Sequence, residues 1–282
     1  MRRLNWPDAF AAYLVAREAC SMRQPKDENK DRTASIPILI TSSITPHDKG
    51  VKLSDPEKRL FHAIEAIEQW IRVTPKSQFV LCDGSGFDFE PIVKARFPHA
   101  AIECLCFQND LSKILIYGRG YGEGEIVKFA LKHSEYIAHS DAFAKCSSKL
   151  WVENYPVCLK EWRGDCLFSG IFKNTFSLTK PIEMLQVDTR FYIMKKNFYI
   201  RNLNDAHHQI GLAPGFGLED SFYHELLKIK QEKYLFSTPP VVMGVGGGTG
   251  TYYKSSWLRV SKEKIRLENV KRSANFRRLF NF

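Results

Sequence analysis

The sequence predicts an α/β protein built on a mostly parallel sheet with helices on both faces. Short apolar runs that end in turns alternate with amphipathic segments along the first half of the chain. Apolar residues make up 44% of the 282 residues, enough for a sizeable core. No apolar run reaches the roughly 18 residues that a membrane helix needs, so these runs suit buried strands.

Each element has its own signal. Residues 7–20 form a short amphipathic pattern, and 23–35 are polar and charged like a linker. Residues 36–43 (Ile-Pro-Ile-Leu-Ile-Thr-Ser-Ser) make a first strand running into a loop. Residues 55–72 make a helix: Pro56 suits its first turn, and Leu60, Ile64, Ile67 and Ile71 recur at helical spacing. A second strand over 78–82 ends at Asp83-Gly84-Ser85-Gly86. A short helix over 91–97 and a third strand over 102–107 follow. Residues 118–124 are a glycine-rich turn leading into a helix through Leu131, and 136–138 are strand-like. Further on, 166–172, 184–187, 191–194 and 197–203 are candidate strands. Residues 221–230 suit a helix, and 241–253 hold a dense glycine run.

The net charge is +10, which suits nucleic acid, anionic lipid or phosphorylated small molecules. No basic stripe or aromatic platform runs through the first 250 residues, which argues against nucleic acid. The seven cysteines are odd in number and none has C-x-x-C spacing. They fit reduced buried thiols better than disulfides or a zinc site. Trp6, Pro7 and Asp8 interrupt any signal-peptide core, so secretion is not expected.

Open parallel sheets bind ligands at the carboxyl ends of their strands. Thr41 and Ser42 end the first strand, and Asp83, Gly84 and Ser85 end the second. A carboxylate there can accept hydrogen bonds from a base or ribose, or merely organise an Asp-Gly turn. In 118–124, alternating glycines before a helix would offer N–H groups to phosphate, with Arg119 and Gly120 beside them. The segment lacks a P-loop ending and equally suits a mobile turn. Asp141, Lys145 and Lys149, and separately Asp188 with Arg190, suit a diphosphate; the second group also suits a plain ion pair. Glu219 and Asp220 open a helix, where the dipole alone favours acids and where a cleft would let either deprotonate a hydroxyl. Five glycines within 244–250 suit a lid or a second phosphate loop. The adjacent His207 and His208 lack metal spacing and suit surface or acceptor-side positions.

The order of these motifs, over residues 36–253, resembles the GT-A fold glycosyltransferases, especially inverting bacterial enzymes of lipopolysaccharide and capsule assembly. The stretches 145–151 and 188–191 also look like segments of those enzymes. The resemblance implies a Rossmann-like catalytic domain over 36–255, between an N-terminal helix and linker (1–35) and a basic amphipathic tail (256–282). It implies that Thr41 and Ser42 enter the nucleotide site, that Asp83-Gly84-Ser85 meets the base, and that 118–141 leads to the diphosphate. It also implies that Asp220, or else Glu219, is the catalytic base. The family's Asp-x-Asp metal motif is missing, for His139-Ser140-Asp141 keeps only its last acid. Asp141 is thus the candidate ligand for a Mn²⁺ or Mg²⁺ ion. A metal-independent route, with Lys145, Lys149 or Arg190 neutralising the leaving diphosphate, stays open. The implied activity moves a sugar from a nucleotide-activated donor to a hydroxyl of a glycan or lipid-linked acceptor. The alternatives are a nucleotidyltransferase acting on sugar phosphates and a non-catalytic nucleic-acid-binding protein. The first would need a Gly-rich, Lys/Arg-bearing loop where Ser42-Ser43-Ile44-Thr45-Pro46 stands, and the second rests on charge alone.

The tail carries Lys262, Lys264, Arg266, Lys271, Arg272, Arg277 and Arg278 with Phe276, Leu279, Phe280 and Phe282. Each cation near an anionic leaflet contributes roughly 1 kcal/mol, and aromatic insertion adds to that. The expectation is a cytoplasmic protein, peripheral on the inner face of the membrane. The competing reading has the tail packed back on the domain.

Overall fold

Alternation of buried side chains sets the architecture of the computed structural model, which describes residues 36–254 and 256–280. Strands β1 (Ile38–Ser42), β2 (Phe79–Asp83), β3 (Ile102–Cys106) and β4 (Ala142–Ser147) run parallel. β5 (Leu150–Val152) turns away after β4. β6 (Cys166–Lys173) and the long β7 (Glu183–Lys195) complete a six-stranded sheet of order β3-β2-β1-β4-β7-β6, with β7 antiparallel to both its neighbours. β8 (Val242–Val245) and β9 (Tyr252–Tyr253) join β5 in a small second sheet.

One face of the large sheet presents Leu39, Val80, Cys82 and Phe143, and the other Ile38, Ile40, Phe79, Leu81, Ala144 and Cys146. The period of two in each strand places every second side chain in one of two cores. The second face is covered by α1 (Pro56–Val73), through Leu60, Ala63, Ile64, Ile67 and Trp70. Asp55 caps this helix by accepting the Glu57 amide at 2.9 Å, and the Trp70 indole donates to the Leu150 carbonyl at 3.0 Å. After α2 (Glu90–Arg96) and α3 (Leu111–Tyr117), α4 (Arg119–His133) covers the first face with Ile126, Val127 and Ala130. The predicted fold class is therefore present: a mostly parallel sheet flanked by helices.

Several local expectations fail for definable reasons. The 118–124 segment is not a turn but the start of α4. Gly118, at φ 77°, ends α3 and lets the chain re-enter a helix at once. A Cβ on Gly122 would sit 2.6 Å from Ile114 Cδ1, and one on Gly124 would sit 2.4 Å from His207 Cβ. These two glycines serve close packing. Residues 135–138 form a helical turn, α5 (Glu135–Ala138), rather than a strand. The central strand β4 was hidden by Lys145, which lies fully buried, pairs with Glu123 and donates to the Thr189 carbonyl at 2.8 Å. After α6 (Tyr155–Lys160), the two predicted strands 184–187 and 191–194 are one strand, β7. The predicted strand 197–203 is α7 (Lys196–Asn202): Phe198, Tyr199 and Leu203 are all buried, a helical rather than alternating spacing. A 3₁₀ turn (Ala206–Gln209) leads towards α8 (Leu218–Lys228), and the glycine run is the turn of the β8–β9 hairpin.

The tail forms α9 (Trp257–Arg272) and α10 (Ala274–Arg277) and packs on the domain. Val270, Leu279 and Phe280 are buried in the first core, the Leu235 amide donates to the Leu279 carbonyl at 2.8 Å, and Phe276 meets Phe172 edge-on. Leu279 and Phe280 are therefore not free to insert into lipid. Among the described residues no helix is long and apolar enough to cross a membrane. The predicted helix and linker over 1–35 lie outside the described residues.

Candidate active site

The parallel strands end at a common edge, where Thr41 of β1 and Ser147 of β4 are register partners. A cavity of about 300 Å³ opens there. α4 lines it with Gly122, Glu123 and Ile126, α1 with Arg59, β7 with Thr189 and Arg190, α8 with Glu219, and the hairpin turn with Gly246, Gly247 and Gly248. Of the predicted donor-binding residues, Thr41, Arg119, Lys149 and Arg190 line this cavity, and of the two candidate bases Glu219 does.

Two cations dominate it. Arg59 is buried, with Nε donating to the Ser43 carbonyl and one guanidinium nitrogen to the Leu53 carbonyl, both at 2.8 Å. Lys149 is buried too, and its Nζ donates to Ser148 Oγ at 2.9 Å. Among the described residues neither forms an ion pair with a carboxylate. Burial pushes the Lys149 ammonium well below the usual lysine range; Arg59 adds to this and Asp83 opposes it. Burial likewise lowers Arg59 to about 10, against the pull of Asp83. Burying a cation without a carboxylate partner costs free energy, which the hydrogen bonds to the Ser43 and Leu53 carbonyls and to Ser148 Oγ offset only in part. The hairpin turn closes against them: a Cβ on Gly247 would sit 2.6 Å from Lys149 Cε, and one on Gly248 2.6 Å from Arg119 Cζ. Arg190 makes a bidentate pair with Asp188, Nε donating to Oδ1 at 2.9 Å and Nη2 to Oδ2 at 2.5 Å, and lies over the Tyr253 ring.

The two candidate bases separate. Glu219 lines the cavity and accepts from Thr189 Oγ1 at 3.0 Å. Asp220 does not line it; its carboxylate accepts the Gly217 amide at 2.9 Å and caps α8. The sequence preferred Asp220 over Glu219; of the two, the cavity wall contains Glu219.

Other predicted residues stand behind the wall. Asp83 is fully buried and accepts the amides of Ile44 (3.0 Å), Ser85 (2.7 Å) and Phe87 (3.2 Å) and the Ser85 hydroxyl (2.7 Å). It organises the turn instead of meeting a base. Gly84 is pressed against Asn109 and Ile126, Ser85 Oγ accepts the Thr45 amide at 3.0 Å, and Ser42 is buried. Gly120 packs against Ile210 and Leu218, Lys145 lies beneath the cavity with Glu123, and Asp188 acts through Arg190. Asp141 precedes β4 and is exposed at the amino edge of the sheet. Six residues of strand place it about 20 Å from Ser147. It is therefore no ligand for an ion in this cavity. His207 is fully buried, not a surface group.

Asp83→Ala is accordingly expected to lower stability. Three amides lose their acceptor at about 1–3 kcal/mol each, so a loss of about 3 kcal/mol or more should appear as a lower urea midpoint. An unchanged midpoint with lost nucleotide binding would restore Asp83 to the ligand site.

The carboxylates that line the cavity do not fit a hard divalent ion. Glu123 is paired with Lys145, Asp48 accepts the Arg119 and Gly50 amides, and Glu219 accepts from Thr189. At the end of β4 stand Ser147, Ser148 and Lys149, with no carboxylate among them. Sequence reasoning missed Arg59, which in sequence looks like any polar-face residue of an amphipathic helix. It also missed Glu123 and Thr189, whose signals are equally ordinary.

No protein-family profile and no curated protein matches the sequence. Solved structures match in overall trace. A protein assigned as a nucleotide-diphospho-sugar transferase from Desulfovibrio desulfuricans G20 aligns at 13% identity and a TM-score of 0.44, covering 71% of this chain and 78% of that one. The glycosyltransferase GlyE of Streptococcus pneumoniae TIGR4 aligns at 8% identity and 0.44, covering 72% of this chain and 45% of that one. HddC of Yersinia pseudotuberculosis aligns at 14% and 0.38, covering 74% and 93%. At these scores the likeness carries no argument about chemistry, which rests on the cavity's own residues.

Proposed function

We propose that the chain is a glycosyltransferase that takes a sugar from a nucleoside-diphosphate donor and passes it to an acceptor hydroxyl. One observation carries this reading: Arg59 and Lys149, buried and without carboxylate partners, face a cavity at the carboxyl edge of a parallel sheet. The diphosphate sits between them and the glycines of the hairpin turn. Glu219 takes the proton from the acceptor oxygen as that oxygen attacks the anomeric carbon. The bond from this carbon to the diphosphate breaks with inversion, and Arg59, Lys149 and Arg190 take up the charge of the leaving group without a metal.

A second cavity of about 230 Å³ shares Arg190 with the first and adds Asp188 to its wall. Its wall combines Ile171, Phe172, Pro240 and Val242 with Lys254 and Arg259. This is the proposed acceptor site, suited to a lipid-linked glycan whose phosphate meets the cations. The setting in bacterial surface-polysaccharide assembly rests on the order of sequence motifs alone.

The proposed membrane contact moves from the end of the tail to α9, where Trp257, Leu258 and Ile265 are 76%, 61% and 56% exposed, with Lys262 and Lys264 also exposed. Trp257→Ala with Leu258→Ala is expected to cut sedimentation with anionic vesicles while melting stays as in the wild type. Sedimentation equal to wild type would remove the membrane contact. Deleting 271–282 is expected to destabilise the fold, because it removes Leu279 and Phe280 from the core.

The reading is tested by a thermal-shift panel of nucleoside mono- and diphosphates and nucleotide sugars, with and without Mn²⁺ or Mg²⁺. A diphosphate at 100 times its dissociation constant adds about 2.7 kcal/mol of stability. A panel without any stabilising nucleotide would overturn the proposal.

A further inference from the structure

Outside the cavity, three metal-ligating side chains converge beside α4. Glu125 of α4 meets His207 and His208 of the 3₁₀ turn, with one ligand atom from each within 4.8 Å of the others. His207 Nε2 lies 2.5 Å and His208 Nε2 3.8 Å from Glu125 Oε1. We propose that Glu125, His207 and His208 form a binding site for a zinc-class divalent ion, independent of the donor cavity.

The chemistry of the donors selects this class. Two imidazoles and one carboxylate suit a borderline-soft ion better than Mg²⁺ or Mn²⁺. With ligand arms of about 2.0–2.1 Å in a tetrahedron, donors stand about 3.3 Å apart. The present spacings bracket that value, and the Glu125 side chain, 30% exposed, has room to adjust. His207 is fixed: it is fully buried, fits the gap left by the missing Cβ of Gly124, and meets the Tyr121 ring edge-on at 5.1 Å. His208 stacks on the same ring at 5.7 Å and is 48% exposed, which leaves the fourth position to water. The neighbouring charges, Lys128 and Asp205, neutralise one another at 2.7 Å.

The ion would tie α4 to the turn that leads into α8. Gly122, Glu123 and Ile126 of α4 line the cavity, while α8 carries Glu219. It is a positioning site and contributes no group to the reacting atoms.

The test uses tag-free full-length protein, titrated with Co²⁺ and followed by its visible absorption, then displaced with Zn²⁺. The expected result is one ion per chain, a Zn²⁺-dependent rise in melting temperature, and binding at least about tenfold weaker in His208→Ala and in Glu125→Gln. His208→Ala leaves the buried His207–Glu125 contact in place, so its metal-free melting should match the wild type. Cys106→Ser, which removes an exposed thiol, should bind as the wild type does. Absence of binding, wild-type affinity in His208→Ala and Glu125→Gln, or loss of binding in Cys106→Ser would overturn the site.

Discussion

Glu219→Gln is expected to lower turnover by about 10²–10⁴-fold while donor affinity stays within a few-fold of wild type. The carboxylate lines the cavity and is oriented by Thr189 Oγ1 at 3.0 Å, so the amide keeps the shape and the hydrogen bond but cannot take a proton. Asp220→Asn is the contrasting variant. It perturbs the cap on the Gly217 amide, worth about 1 kcal/mol of stability, and should leave turnover near wild type. If Asp220→Asn abolished turnover in a folded protein while Glu219→Gln did not, the base would be misassigned. Turnover and donor binding, measured on both variants, decide between them.

Lys149→Met is expected to weaken nucleoside-diphosphate binding by about 2–5 kcal/mol, the range for truncating one member of a buried charge pair. It should also stabilise the ligand-free protein, because a buried cation without a carboxylate is replaced by an apolar chain of similar size. These opposite signs separate a ligand-binding role from a structural one. A pH dependence accompanies them. In the free cavity burial depresses the Lys149 pKa, so above that value the amine is neutral. A bound diphosphate favours the charged form and raises the pKa, so binding takes up a proton between the free and bound values. Affinity should therefore fall as pH rises through that window, by up to about tenfold per pH unit, and Lys149→Met should lose the slope. The ligand-free protein should behave the other way. Its unfolded chain binds the extra proton, so stability rises with pH between the folded and unfolded pKa values of Lys149. Calorimetric titrations across pH on both proteins check the sign.

The first half of the fold was legible because its strands are apolar runs and its first helix carries a clean stripe of Leu60, Ile64 and Ile67. β4 was not, since a lysine in a central strand looks like a loop until Glu123 and the Thr189 carbonyl are known to meet it. The glycines at 122 and 124 pointed to a turn because sequence shows a missing side chain but not the Ile114 or His207 that fills its place. Of the residues that line the cavity, Lys149, Arg190 and Glu219 were already candidates from their local sequence. Arg59 was not, for its role depends on where the first turn of α1 lands relative to a hairpin turn 188 residues later. Asp83 was placed correctly at a strand end, yet its lone pairs are spent on the chain's own amides, which no spacing reveals.

The central claim is that the cavity over the carboxyl edge of the sheet holds a diphosphate between Arg59, Lys149 and the turn formed by Gly246, Gly247 and Gly248. A crystal structure of the chain with the nucleoside diphosphate that stabilises it most tests this directly. The account predicts both phosphates in that cavity, with oxygens within hydrogen-bond distance of Lys149 Nζ and the Arg59 guanidinium. Phosphates bound elsewhere on the chain, with Lys149 and Arg59 untouched, would contradict it.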